Sequence, residues 1–168
     1  DEAPFRGRYE LGARIDGLRA LADLGIDMAP LTGDFMRGPM DARVLLTVHD
    51  GGAGILNAEL DLKETELDIP ALAWSKEAGT AAAARVDAKL LGDRVEEISR
   101  FDLTADDILI QGSARASTDG LERIDLARVV HGRTDMSGVL ILDQDGGWTG
   151  SFQGASFDLE PQFEDLFG

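Results

Sequence analysis

Cysteine is absent from this chain of 168 residues. Its absence excludes disulfide bonds, thiolate zinc sites and cysteine nucleophiles. Histidine occurs only twice, as His49 and His131, and neither lies near a second histidine with which it could chelate a metal ion. A histidine that acts as a general base also needs a group that orients it. We therefore expect no catalytic residue, no metal site, no cofactor and no enzymatic activity.

Basic residues are scarce, because 16 Lys and Arg stand against 32 Asp and Glu, for a formal charge of −16. Such a charge repels a phosphate backbone, so nucleic acids are not expected as partners. The acidic residues are spread along the chain, which is typical of a solvated surface. Hydrophobic residues make up 43% of the chain and aromatic ones only 6%, so the apolar content is mainly aliphatic.

Long apolar runs are also missing. No stretch approaches the ~18 to 20 residues of a membrane span, and the start, "DEAPFRGRYE", resembles no signal peptide. The chain also lacks an initiator methionine. We expect residues 1–168 to be a single β-rich segment of a longer protein, which meets a membrane only through parts outside this chain.

Apolar residues recur with a period of two along most of the chain after residue 38, which predicts half-buried β-strands. One strand alternates four apolar positions with polar ones: Leu56, Ala58, Leu60 and Leu62. A second strand does the same with Ala84, Val86 and Ala88. The phase reverses near Lys63 and Glu64, which predicts a bulge or bend there.

Glycine-rich turns separate these strands near residues 51, 92, 119 and 146, so we predict an antiparallel meander. The segments Asp50–Gly52 and "DQDGGW" could hold an ion, but they lack the ligand spacing of a calcium loop and favour turns. Trp74 and Trp148 are interpreted as packing anchors at strand ends. One short helix is predicted for residues 16–26, with Asp16 as its cap and Gly25 at its end.

Three segments carry a resemblance to the AsmA-like superfamily, and most closely to its YhdP-type branch, which is related to TamB. They are the Asp-Leu-x-x-x-Asp-Ile-x-Ile-x-Gly-Ser-Ala run at 102–114, "GRTDMSG" at 132–138 and "DGGWTGSFQGASFDL" at 145–159. The resemblance covers most of residues 38–167. These segments are turn and strand patterns, and they carry no catalytic residues over to this chain.

The resemblance implies a segment of a periplasmic protein that is anchored in the inner membrane and conducts phospholipid toward the outer membrane along an apolar β-groove. The implied partners are phospholipid acyl chains and neighbouring segments of the same longer protein. On this interpretation the lipid-facing positions are Leu56, Ala58, Leu60, Leu62, Ala84, Val86 and Ala88. Small alanine side chains would leave room in a groove for a tail.

The same alternation would also build a compact β-sandwich that serves as a structural or interaction module without a ligand. A metal-dependent enzyme is a more distant alternative. The predicted fold class is mainly β, an antiparallel meander of long amphipathic strands that forms a curved, groove-like sheet. A curved, open sheet with an uncovered apolar face favours the lipid groove, whereas a second sheet over that face favours the module.

Overall fold

The computed structural model describes residues 5–16, 35–69, 72–118 and 120–156. These residues form twelve strands in two sheets. The strands are β1 (Phe5–Asp16), β2 (Met36–Arg37), β3 (Pro39–His49), β4 (Ala53–Asp61), β5 (Glu66–Ile69), β6 (Trp74–Lys76), β7 (Ala82–Leu91), β8 (Arg94–Ala105), β9 (Ile108–Ser117), β10 (Gly120–His131), β11 (Thr134–Leu142) and β12 (Trp148–Ser156).

The main sheet has nine strands in the order β1-β3-β4-β7-β8-β9-β10-β11-β12, and every neighbouring pair is antiparallel. A smaller sheet has the order β2-β5-β6. Because β1 and β12 are the two edges and do not pair with each other, the main sheet is open. The predicted mainly β, antiparallel meander is confirmed, and its sheet is of the open kind.

The chain leaves the main sheet at the point where the sequence pattern reverses phase. After β4, residues 62–65 form a turn in which the Thr65 amide donates to the Leu62 carbonyl at 3.1 Å, and β5 then begins in the small sheet. The Thr65 hydroxyl donates to the Pro39 carbonyl at 2.7 Å. The predicted bend is therefore a corner between two sheets, and the reversal of phase reflects the change of sheet.

A cluster of buried apolar side chains joins the two sheets. Three of its members lie at the ends of main-sheet strands, namely Met40, Ala82 and Ile108, and Leu62 directly follows β4. The other two, Leu67 and Trp74, come from the small sheet. The small sheet thus packs over one end of the strands. We call this end of the main sheet the covered end.

Register shifts are concentrated in the second half of the main sheet. The β3–β4 and β4–β7 ladders run without interruption, whereas every ladder from β7–β8 onward contains at least one shift. Each bulge bends its strand and increases the local twist. The sheet is consequently regular around β3, β4 and β7 and more strongly twisted toward β12.

The first residues include one predicted element and one that was not predicted. The helix predicted for residues 16–26 lies outside the described residues, apart from Asp16, which is the last residue of β1. The strand β1 itself was not predicted, although Tyr9, Leu11, Ala13 and Ile15 alternate with polar neighbours or glycine. Its twelve residues pair with β3 along nearly the whole of that strand.

Candidate functional site

Six of the seven positions predicted to face lipid lie together on β4 and β7, in the regular part of the main sheet. Three of them on β4 stand directly opposite three on β7: Leu56 faces Ala88, Ala58 faces Val86, and Leu60 faces Ala84. Directly opposite residues on paired strands project to the same side of a sheet. The sequence pattern therefore locates one contiguous apolar patch across these two strands.

The patch is part of a larger apolar face that spans the main sheet. On β3 it continues through Ala42, Val44 and Leu46, which face Leu60, Ala58 and Leu56. On β8 it continues through Ile98, Phe101 and Leu103, which face Ala88, Val86 and Ala84. Nine strands spaced ~4.8 Å apart span about 38 Å, so the apolar face is wide enough for an acyl chain that lies across the strands.

Leu60 and Ala84 pack against the margin of the covered-end cluster, whereas Leu62 lies inside that cluster. It lies just beyond β4, is 0% exposed, and packs with Met40, Leu67 and Trp74 at the covered end. Leu56, Leu60, Ala84 and Val86 are partly buried, while the small side chains of Ala58 and Ala88 are buried. Leu62 thus belongs to the contact between the two sheets.

A second buried cluster lies away from the covered end, and all its members come from the main sheet. Its four buried members are Ala88, Ile98, Ala114 and Leu121, and six partly buried apolar side chains pack around them. They are Leu56, Val86, Val95, Phe101, Ala116 and Ile124. Directly opposite side chains on one face of a sheet lie close enough to contact one another, so the members of this cluster bury one another across β4 and β7–β10. Within the described ranges, no second layer of strands covers this cluster.

Two glycines on the apolar face, which the sequence analysis did not identify, lie opposite aromatic rings. Gly112 faces Phe101 across β8 and β9, and Gly138 faces Phe152 across β11 and β12. A Cβ atom on Gly112 would lie 2.8 Å from the Phe101 ring, so the ring covers the glycine closely. The pairing of a phenylalanine with a glycine on the next strand would have identified these positions. The sequence does not show this pairing, because it depends on the register of the strands.

The opposite face of the sheet is polar, and some of its charges are paired. Arg85 lies 3.6 Å from Glu59, and Lys89 lies 3.0 Å from Glu97. Asn57 donates to Asp87 at 2.7 Å. Exposed pairs of this kind contribute little to stability, so their main effect is to give the sheet one wetted face and one apolar face.

Two further ion pairs hold carboxylates in the charged form. Hydrogen bonds from Arg123 lower the pKa of Asp125, and those from Arg128 lower the pKa of Asp135. A lowered folded pKa stabilises the fold above the ordinary aspartate pKa, and this stabilisation is lost as the pH falls through the folded value. Both carboxylates are at least partly exposed, and neither has the raised pKa of a general acid.

The aspartate–glycine segments form turns. Asp50–Gly52 is a short 3₁₀ turn in which Gly51 has a φ of 86°. In the last hairpin, the Asp143 amide donates to the Gly147 carbonyl at 2.7 Å, and the Asp143 carboxylate accepts from Thr149. Among the described residues, no group of three or more acidic or histidine side chains is arranged to hold a metal ion.

An open depression of about 940 Å³ lies on the polar face near the covered end. Small residues form its floor, and charged side chains such as Arg14 and Asp41 form its rim. These two already lie 3.4 Å apart and are mostly exposed. A shallow site whose charges neutralise one another offers no focused recognition of a small ligand.

Trp74 is a packing anchor, as predicted. Its ring is 4% exposed in the cluster between the two sheets, and its indole nitrogen donates to the Asp107 carboxylate at 2.8 Å. Asp107 lies in the turn between β8 and β9, and its carbonyl oxygen is 3.1 Å from Nδ1 of His131. This turn therefore ties the small sheet to the main sheet. The side chain of Trp148 lies outside the described part of the structure.

We expect Asp107→Ala to reduce the free energy of unfolding by about 1–2 kcal/mol, because the buried indole N–H would lose its acceptor. Asp106→Ala is the matched control, since Asp106 is an exposed carboxylate in the same turn. Urea titration of both variants measures the difference. Equal losses would show that the Trp74 hydrogen bond does not hold the small sheet in place.

No protein-family model, curated protein or solved structure matches this chain. Within the described residues, no helix has the length and apolar character needed to cross a membrane.

Proposed function

We propose that the apolar face of the main sheet binds phospholipid acyl chains, as one segment of a periplasmic, AsmA-like protein that conducts lipid between the inner and outer membranes. The observation that carries the proposal is the second buried cluster, which consists of apolar side chains from one open sheet and has no second layer of strands over it in the described residues. The binding surface comprises the six predicted positions other than Leu62, of which Leu60 and Ala84 lie against the margin of the covered end. They are Leu56, Ala58, Leu60, Ala84, Val86 and Ala88.

The energetics of such a surface favour a lipid tail. Each methylene that is moved from water into an apolar environment contributes ~0.8 kcal/mol. A tail of ~14 methylenes would therefore gain roughly 11 kcal/mol before the costs of ordering it. Binding of this kind needs no catalytic group, because the chemistry is burial alone.

The polar face has a complementary role in the proposal. Its exposed ion pairs, such as Arg85–Glu59 and Lys89–Glu97, would remain in water while the other face holds the tail. The anchoring part of the parent protein and the neighbouring segments that would lengthen the conduit lie outside this chain. The lipid itself would be the only ligand.

A compact structural or interaction module without a ligand is the second candidate. The small sheet favours it, because Leu67 and Trp74 bury part of the apolar face against Met40 and Leu62 as a β-sandwich does. The two candidates differ over the rest of the face. In a module, the surface around Leu56 would serve only to pack protein against protein.

Photocrosslinking at adjacent positions on β4 tests the lipid proposal. A benzophenone amino acid would replace either Leu56, on the apolar face, or Ile55, which is apolar but 44% exposed on the polar face. Each purified variant would be mixed with vesicles of phosphatidylethanolamine and phosphatidylglycerol and then irradiated. We expect lipid adducts by mass spectrometry several times more often at position 56.

Ile55 is a close control because it matches Leu56 in size and hydrophobicity and differs only in the face it occupies. Circular dichroism and thermal melting of each variant verify that the fold is retained. Equal labelling at both positions would indicate non-specific contact with the vesicle. Absence of adducts at position 56 in a folded variant would favour the module.

A further inference from the structure

The first strand forms an open edge of the main sheet. Among the described residues no strand pairs with the outer side of β1, so alternate N–H and C=O groups along its twelve residues point away from the sheet. Tyr9 and Leu11 are 62% and 60% exposed, the highest values among the large apolar side chains described. Natural proteins protect or pair such edges.

The charges of β1 are arranged in a self-complementary order. Arg8, Glu10, Arg14 and Asp16 project to the polar face, and the central residue of this set is Gly12. If two copies of β1 lie antiparallel with Gly12 opposite Gly12, Arg8 of one copy faces Asp16 of the other. In the same register Glu10 faces Arg14. The two-fold axis repeats each contact, so four pairs of opposite charge form.

The apolar face of β1 matches in the same register. Leu11 then faces Ala13 of the second copy, and Tyr9 faces Ile15. A shift by one residue in each strand would place Arg8 opposite Arg14, or Glu10 opposite Asp16, and like charges in directly opposite positions are destabilising. The sequence of β1 therefore favours one antiparallel register over its neighbours.

Most of these charges are available for new contacts. No ion-pair partner for Arg8, Glu10 or Asp16 occurs among the described residues. Arg14 contacts Asp41 at 3.4 Å, but both side chains are more than half exposed. The other edge strand, β12, carries no charged residue, so charge pairs cannot favour one pairing register there.

We propose that this chain forms a symmetric homodimer in which the two β1 strands pair antiparallel about an axis at Gly12. The axis stands perpendicular to the sheet, so the two apolar faces lie on the same side and form one continuous surface. The proposal is independent of whether that surface binds lipid. It concerns the edge of the sheet and a second copy of the same chain.

Cysteine crosslinking tests the register directly, because the chain contains no cysteine of its own. A Cβ atom on Gly12 would have no other atom within 4 Å, so Gly12→Cys is tolerated. Facing residues have Cα atoms roughly 4.5–5.5 Å apart, which is within the range of a disulfide. We expect Gly12→Cys to form a covalent dimer under mild oxidation.

Glu10→Cys is the matched control on the same strand. In the proposed register position 10 lies four residues along the strand from its counterpart, about 13 Å away, which is too far for a disulfide. Ser151→Cys tests the other edge, on β12. Preferential crosslinking at position 10 or 151, or equally slow crosslinking at all three positions, would overturn the proposal.

A charge exchange tests the same register without a covalent bond. We expect sedimentation velocity to show a dimer at about 10 to 100 µM. Arg8→Asp and Asp16→Arg should each weaken the dimer about tenfold or more, because each turns two attractive contacts into repulsive ones. The double variant should restore dimerisation. If the double variant dimerises no better than the single variants, the proposal is overturned.

Arg94→Asp controls for net charge, since it changes the charge by the same amount as Arg8→Asp but lies on β8 and not at an edge. It should leave the dimer unchanged. A chain that stays monomeric over the whole concentration range would also overturn the proposal. Such a result would leave the lipid-binding test unaffected, because that test uses β4.

Discussion

Replacement of Gly112 by alanine should be among the most destabilising single-methyl changes in this protein. A Cβ atom at this position would overlap the Asp125 carbonyl oxygen and lie 2.8 Å from the Phe101 ring. The ring can shift, but the carbonyl belongs to the backbone of β10, which pairs with β9. We expect Gly112→Ala to reduce the free energy of unfolding by about 3 kcal/mol.

Gly54→Ala is the control for this prediction, because Gly54 is also a glycine inside a strand of the main sheet, and it is the more buried of the two. The nearest atoms to a Cβ there are 3.5 Å away, an ordinary van der Waals distance. Alanine reduces the conformational freedom of the unfolded chain, so Gly54→Ala should be neutral or slightly stabilising.

Thermal melting measures both variants. At about 2–4 °C per kcal/mol for a chain of this size, Gly112→Ala should lower the melting temperature by roughly 6–12 °C. Similar melting temperatures for the two variants would mean that β9 and β10 can separate locally at little cost. The close contact between Gly112 and Phe101 would then not fix the shape of the apolar face.

The period-two patterns on β4 and β7 predicted both the strands and the face they share, because alternation depends only on the pleat of a strand. The direct opposition of Leu56 and Ala88 was not predictable in the same way. Register depends on the turns between strands and on bulges in the ladders, and these involve residues far from the strands in question.

The alternation of apolar residues did not predict that Leu62 is buried between the two sheets. Its alternation continues that of Leu56 and Leu60, so the sequence alone gives no reason to separate it from them. The chain turns immediately after β4, and Leu62 is buried by Leu67 and Trp74 of the small sheet. The alternation resumes with the opposite phase at Leu67 and Ile69 of β5, but it does not show which strands pair, and β6 has only three residues, so the small sheet could not be predicted.

The strand β1 was missed for a different reason. Its alternation is broken by Gly7 and Gly12, and four of its residues are charged on one side. Such a strand resembles a polar, irregular segment when only its composition is considered. The strand β1 pairs only with β3 and is therefore an edge strand. The order of its charges suggests a pairing register only once this position is known.

The buried lysine of the small sheet offers the second large effect. The Lys76 ammonium is 5% exposed and donates to the carbonyl oxygens of Lys63, Thr65 and Glu77 at 3.2, 2.6 and 3.0 Å. Two of these carbonyls belong to the corner that leads from β4 into the small sheet. Lys76 therefore holds in place the turn on which the packing of the small sheet depends.

We expect Lys76→Met to reduce the free energy of unfolding by about 2–3 kcal/mol, because methionine fills a similar volume but leaves three carbonyl oxygens without this donor. Lys89→Met is the control, since Lys89 forms an exposed pair with Glu97 at 3.0 Å. Exposed pairs contribute at most about 1 kcal/mol. Urea titration at neutral pH should separate the two variants.

The pH dependence of this difference provides an independent test. Burial lowers the pKa of Lys76, and the nearby carboxylates of Glu64, Asp61 and Glu66 oppose the shift without cancelling it. Between the lowered pKa of Lys76 and the ordinary lysine value of about 10.4, the unfolded chain binds more protons than the folded chain. In that pH window the contribution of Lys76 to the free energy of unfolding therefore rises with pH. We expect the gap between the native chain and Lys76→Met to widen as the pH rises toward that value, and the gap for Lys89→Met to serve as the reference. A gap that narrows instead would show that the three carbonyls and the surrounding acids stabilise the ammonium more than its burial disfavours it.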